Sequence, residues 1–243
     1  MPRFHCSQPL AIGALFELPQ ALAHHVQVLR LAAGAHVTLF NGDGGEYTAT
    51  LSSIERKSVT VEVKTFSPRE AELPYALTLA QALPEASKMD WIVEKAVELG
   101  ATALQPLASQ RCVVRLSAER AVKRQQHWQA IAVSAAEQSG RNRILHLGEP
   151  AEFGSYVAQQ DLHRRILLSP RAESSLSHWA RHQPAQSVTL MVGPEGGFSD
   201  AEERMAIEHG ALALSMGPRV LRTETAGLAA MATLAGAWGD SAG

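Results

Sequence analysis

"VTLMVGPEGGFSDAEE", residues 188–203, decides how the chain is read. Val188-Thr189-Leu190-Met191-Val192 is a short buried-strand run, a Gly-Pro-Glu-Gly-Gly turn stops it, and Ser199 opens a helix. Strand, glycine turn and helix start in that order usually cradle an anion on backbone amides. Here Glu195 lies inside the turn, and Asp200, Glu202 and Glu203 crowd the first helical turn. Ser199 and Glu202 have the spacing of a capping box, so the helix start satisfies its own amides and its acids complement its dipole. The loop carries neither G-x-G-x-x-G nor G-x-x-x-x-G-K-[ST], which excludes a Rossmann fingerprint and a P-loop. A glycine turn without net positive charge suits a neutral or cationic ligand.

Two further runs end in the same way. "RILLSPR" (165–171) and "LALSMGPR" (212–219) bracket the first, and Pro170, Pro194 and Pro218 stand 24 residues apart. One strand, a return helix and two short loops occupy about that length. Proline cannot donate to a ladder, so each marks a strand end. The spacing predicts parallel strands whose loops share one carboxyl edge, where open α/β sheets bind ligands. Upstream, "ALTLAQAL" (76–83), a helix in "SKMDWIVEKAVELG" (87–100), "TALQPL" (102–107) and a long helix over 118–139 continue the alternation. The fold class is therefore α/β, with a mainly parallel sheet and helices on both faces.

Before residue 70 the texture differs. "HVTLF" (36–40), "EYTATLSSI" (46–54) and "VTVEVKTF" (59–66) read as strands, the first two joined by the hairpin signal Asn41-Gly42-Asp43-Gly44-Gly45. With one helix around 21–31 they form a β-rich module over 1–72, and "SPREAELPY" (67–75) is the expected linker to a second domain over 73–243.

With 46% hydrophobic and 19% charged residues the chain is a globular protein rather than a disordered one. A net charge of −2 means that any polyanion must be held by local patches. Cys6 and Cys112 form no disulfide framework or metal spacing, no run approaches a membrane span, and the N-terminus lacks signal-peptide character; a cytoplasmic setting with no metal and no membrane is expected. His24 and His25 have no third ligand at a suitable spacing. Arg111, Arg115, Arg120, Lys123, Arg124, Arg141 and Arg143 make residues 111–143 locally basic. In "MGPRVLRTETAG" (216–227) Arg219 and Arg222 flank Val220-Leu221, and Thr223 is placed to cap a helix reaching Trp238. That helix is apolar nearly all round, which calls for burial in a core or against a second subunit.

"VGPEGGFSDAEE" followed by "MGPRVLRTETA", with "HHVQVLRLAAG" (24–34), "KMDWIVEKAVELG" and "EQSGRNRI" (137–144) in order, resembles the bacterial 16S rRNA uracil-N3 methyltransferases of the SPOUT superfamily. The resemblance spans the whole chain and implies a PUA-like RNA-binding β-barrel over 1–72. It further implies an α/β domain with a C-terminal trefoil knot over 73–243, and a homodimer acting on 16S rRNA of the small ribosomal subunit. It also implies S-adenosylmethionine as methyl donor, whose sulfonium removes the need for a phosphate site. Carried over by motif, the donor would touch Leu168, Ser169 and Pro170 in the first loop and Gly193, Glu195, Gly196 and Gly197 in the second. In the third it would touch Met216, Gly217, Val220, Leu221 and Arg222, then Thr225 and Ala226 on the last helix. Arg222 would stabilise charge on the uracil ring, with Glu195 or Glu224 orienting it or handling the proton. Arg3, His24, Arg30, Arg111, Arg141 and Arg143 are the expected RNA contacts. A non-catalytic rRNA-binding protein, and a transferase with another RNA target, remain open alternatives at this level.

Overall fold

The computed structural model describes residues 1–85 and 87–239. The chain forms two compact units, Met1–Glu72 with Ala136–Ile144, and Leu73–Ala135 with Leu145–Gly243. The first unit therefore takes in 136–144 as well as the stretch 1–72 expected from sequence.

In the first unit β1 (Arg3–His5), β2 (Leu15–Glu17), α1 (Gln20–Val28), β3 (His36–Phe40), β4 (Glu46–Ile54) and β5 (Val59–Ser67) build a sheet of order β1-β3-β4-β5-β2. Alternation sets its inner face: Val59, Val61 and Val63 of β5 are wholly buried with Leu39 and Leu51. The β3–β4 turn needs its glycines, since Gly42, Gly44 and Gly45 all have positive φ. The stretch 67–75 is pinned rather than free. Arg141 forms a buried ion pair with Glu72, and Asn142 donates to the Arg69 carbonyl at 2.6 Å.

The second unit contains β6 (Leu77–Ala82), α2 (Lys88–Glu98), β7 (Ala103–Ala108), α3 (Ala118–Ser139), β8 (His146–Leu147), β9 (Ala151–Glu152) and α4 (Phe153–Ala158). It continues through β10 (Arg164–Leu168), α5 (Leu176–Arg181), β11 (Val188–Val192), α6 (Asp200–Glu208), β12 (Leu212–Leu214) and α7 (Thr223–Trp238). The sheet runs β12-β10-β11-β6-β7-β8, with β9 also on β7, and every pairing is parallel. Ile166 of β10 is in register with Leu190 of β11 on one side and Leu212 of β12 on the other. The loops after β10, β11 and β12 therefore leave one edge together, as the proline spacing predicts.

The last helix packs against α2, α5, β6 and β11. Leu228, Met231, Leu234 and Trp238 are buried, and Trp238 donates from Nε1 to the Ala180 carbonyl at 2.9 Å. Ala232, Gly236 and Ala237 on its other side are exposed, so burial within this chain covers only part of the helix.

Candidate active site

The three loops enclose a cleft of about 310 Å³ at the carboxyl edge of the sheet. Leu168 to Arg171 line it from the first loop, Gly193 to Phe198 from the second, and Met216, Arg219, Val220 and Leu221 from the third. Thr223 and Ala226 of α7 close one wall.

A buried polar chain holds the walls together. The Thr223 hydroxyl donates to the Gly193 carbonyl at 2.6 Å and accepts from Gln81 Nε2 at 2.9 Å. The last helix is thereby stitched to β6 and to the second loop. Thr223 does not cap α7: Arg222 occupies the N-cap position and makes no capping bond. Gly193 cannot carry a side chain without cost, because a Cβ there would lie 2.8 Å from the Phe198 amide nitrogen. Phe198 is itself wedged against Phe153, with ring centroids 4.7 Å apart. Arg111 clamps this loop from outside, donating to the Gly196 carbonyl at 2.8 Å and the Phe198 carbonyl at 3.3 Å.

The acids of the second loop are each engaged within the protein. Ser199 and Glu202 form the capping box, and Glu202 also accepts from the Gln110 amide at 2.7 Å. Arg171 pairs with Asp200 at 2.6 Å and Glu203 at 3.0 Å, and holds the Asp200 carboxyl below its usual range. Glu195 receives Lys88 Nζ at 2.6 Å and the Glu85 amide at 3.0 Å. Burial pushes its carboxyl up, but the Lys88 hydrogen bond and nearby amides outweigh that, leaving it below the usual range. The same Lys88 ammonium lies 3.9 Å from Glu224, whose buried Oε2 has no hydrogen bond.

The structure thus gathers Leu168, Ser169, Pro170, Gly193, Glu195, Gly196, Gly197, Met216, Val220, Leu221 and Ala226 around one cleft. Gly217, Arg222, Thr225 and Glu224 lie in the same loop and helix start without lining it. Arg222 is exposed and, among the described residues, its guanidinium has no partner, so Glu195 holds Lys88 rather than Arg222. Lys88, Gln81 and Arg171 carry structure here that the sequence reading left out, and Thr223 carries it as a stitch rather than as the expected cap.

In the first unit the expected RNA contacts divide. Arg141 is 3% exposed, and Arg3 is bound to Glu46 and Asn142 Oδ1, both at 2.6 Å, which leaves them as internal braces. His24, Arg30 and Arg143 are exposed, and Arg143 is 3.6 Å from Glu70. Among the described residues no group of three or more His, Cys, Asp or Glu could hold a metal, and no helix is long and apolar enough to cross a membrane.

Fold and site together define a parallel-sheet protein with a preformed cleft at the carboxyl edge of its sheet, preceded by a β module. The chain belongs to the RNA methyltransferase family: it matches the RNA methyltransferase domain over residues 71–235 and the RNA methyltransferase PUA domain over 18–64. It is 33% identical to ribosomal RNA small subunit methyltransferase E of Bacillus subtilis, over 93% of this chain and 92% of that one. Among solved structures it resembles ribosomal RNA small subunit methyltransferase E from Neisseria gonorrhoeae bound to S-adenosylmethionine, with a TM-score of 0.92, 36% identity and 98% of each chain covered. A Legionella pneumophila methyltransferase with bound S-adenosylmethionine matches with a TM-score of 0.91 and 37% identity over 97% of each chain.

Proposed function

We propose that this chain transfers a methyl group from S-adenosylmethionine to N3 of one uridine in the decoding region of 16S rRNA in the small ribosomal subunit. The observation that carries the reading is the three-loop cleft whose acids are already paired, in a chain similar along its length to proteins solved with that donor. When bound, the donor supplies an electrophilic methyl group on a sulfonium. Leu168, Val192, Met216 and Leu221 offer apolar walls for it.

N3 of uracil carries a proton and is shielded in base pairs, so the base must be presented unpaired or flipped. The new bond is N3–CH3, the broken one is S–CH3, and the N3 proton passes to solvent. Negative charge develops on the ring as that proton leaves. Arg222, exposed and unpaired beside the cleft residue Leu221, is the guanidinium we assign to it. Glu195, committed to Lys88, positions the second loop rather than taking the proton. Most of the acceleration comes from alignment, which can supply about 7–11 kcal/mol.

In this reading the five-stranded unit closes as a PUA-like barrel over 1–72 and the domain over 73–243 is threaded as a SPOUT trefoil knot. Two chains pair through the exposed small-residue face of α7, and the enzyme works in the cytoplasm on ribosomal particles. His24, Arg30 and Arg143 serve RNA from the first unit. The test supplies the chain with tritiated donor and small subunits lacking base methylation, then maps the modified nucleotide. Label at N3 of a single uridine is expected. Label on ribose, on another base or nowhere overturns the proposal.

A further inference from the structure

A second groove, of about 520 Å³, lies in the same unit. Its rim is α3, where Arg120, Lys123, Arg124, His127 and Trp128 fall at the i, i+3, i+4, i+7 and i+8 positions of one helix face. Its floor is apolar, made by Leu83, Pro84, Met89 and the buried Trp128, and Val114 to Leu116 form the opposite lip.

The charge on this rim is unbalanced. Lys123 pairs with Glu119 at 2.7 Å, and Asp90 accepts from Trp128 Nε1 and meets His127, both at 2.9 Å. Arg115, Arg120 and Arg124 are exposed and have no side-chain partner among the described residues. Three unpaired guanidiniums over an apolar floor, in a chain of net charge −2, make a local electropositive site.

The groove shares two structural pieces with the cleft. The loop after β7 supplies Arg111 to the cleft and Val114 to Leu116 to the groove. The loop after β6 supplies Leu83 and Pro84 to the groove, while the next residue, Glu85, donates its amide to Glu195 in the cleft.

We propose that this groove binds the single-stranded RNA next to the target uridine, with Arg115, Arg120 and Arg124 on backbone phosphates and the apolar floor against a base. The proposal rests on the RNA methyltransferase reading above. Guanidiniums match phosphate geometry, and an apolar floor accepts any base face, so the groove holds a strand without reading its sequence.

The test compares the parent with the double variant Arg120→Ala/Arg124→Ala and with Arg181→Ala, an exposed arginine on α5. Alanine is the best helix former, so α3 is retained. Three quantities are measured: donor affinity by calorimetry, KM for small subunits, and equilibrium binding of naked small-subunit rRNA across a salt series. The double variant is expected to bind naked rRNA and small subunits at least about tenfold more weakly, with its log–log salt slope reduced by about 1.4–1.8, and with donor affinity kept. Arg181→Ala is expected to match the parent. Naked rRNA binding and KM both within twofold of the parent overturn the groove while leaving the enzyme reading intact. A raised KM with undiminished naked rRNA binding assigns the groove to a ribosomal protein and overturns the RNA assignment. A tenfold loss of donor affinity shows a structural effect and also overturns it. A parent that binds donor but methylates no small-subunit RNA overturns both readings.

Discussion

Substituting Gly193 by alanine isolates the packing that shapes the cleft proposed for the donor. The added Cβ would lie 2.8 Å from the Phe198 nitrogen and 2.9 Å from both Cα and the carbonyl carbon of Gly197. Ordinary contact begins near 3.4 Å, so backbone must yield by about 0.5–0.6 Å. The obstructing atoms are main chain, and they are held: Arg111 grips the Gly196 and Phe198 carbonyls, and the Phe198 ring is 3% exposed against Phe153. Overpacking of this kind costs about 1–3 kcal/mol. Charged against the bound loop conformation, that is roughly a 5- to 150-fold loss of donor affinity. Gly196→Ala in the same turn is the contrast, because its Cβ meets only the flexible Arg111 side chain, at 3.4 Å. Titration calorimetry with S-adenosylmethionine should show a loss of at least about fivefold for Gly193→Ala and under about threefold for Gly196→Ala. Equal effects from the two variants, or a parent-like Gly193→Ala, would refute the reasoning that backbone crowding sets the loop.

Arg222→Ala should lower kcat by about 10²–10³ while leaving the donor dissociation constant within about twofold, read by label transfer and calorimetry. Thr223→Val removes the hydroxyl that serves both the Gly193 carbonyl and Gln81 Nε2, and losing two hydrogen bonds costs about 1–3 kcal/mol. A fall of roughly 2–12 °C in the melting of the second unit is the expected result, and an unchanged melt contradicts it. Lys88→Met tests the Glu195 pair through pH. Glu195 has a folded pKa below its ordinary 4.5, so its stabilisation is present above that value and is lost as pH falls through the folded pKa. The parent should therefore melt above the variant near neutral pH, with the gap closing as pH falls below 4.5 and through the folded pKa. A gap that persists in acid would assign the effect to packing.

The strands with long alternating or wholly apolar runs were legible in the sequence: β3, β4 and β11 fall where their residues predict, because burial imposes its period on five or more positions. The 22 residues of α3 are also found over the predicted span. The two- and three-residue strands β1, β2, β8 and β9 escaped, since such lengths show no period and exist through pairing with distant partners. The cleft was legible as a shared sheet edge because Pro170, Pro194 and Pro218 stop parallel strands in phase. Its bracing was not. Arg171, Lys88 and Gln81 look like ordinary surface or strand residues until the fold brings each within hydrogen-bond reach of its partner loop. Arg141 illustrates the reverse error, for a lone arginine after a glycine looks the same in sequence whether it meets solvent or a buried Glu72.

The Thr223 stitch also bears on the order in which function is acquired during synthesis. The Gly193 carbonyl and the Gln81 amide are made long before Thr223 leaves the ribosome, and the two groups find their shared hydroxyl only when α7 docks. A growing chain that has completed five of the six strands in the β12-to-β8 path still lacks one wall of the cleft. The wall that Thr223 and Ala226 supply is therefore the last part of the cleft to be synthesised.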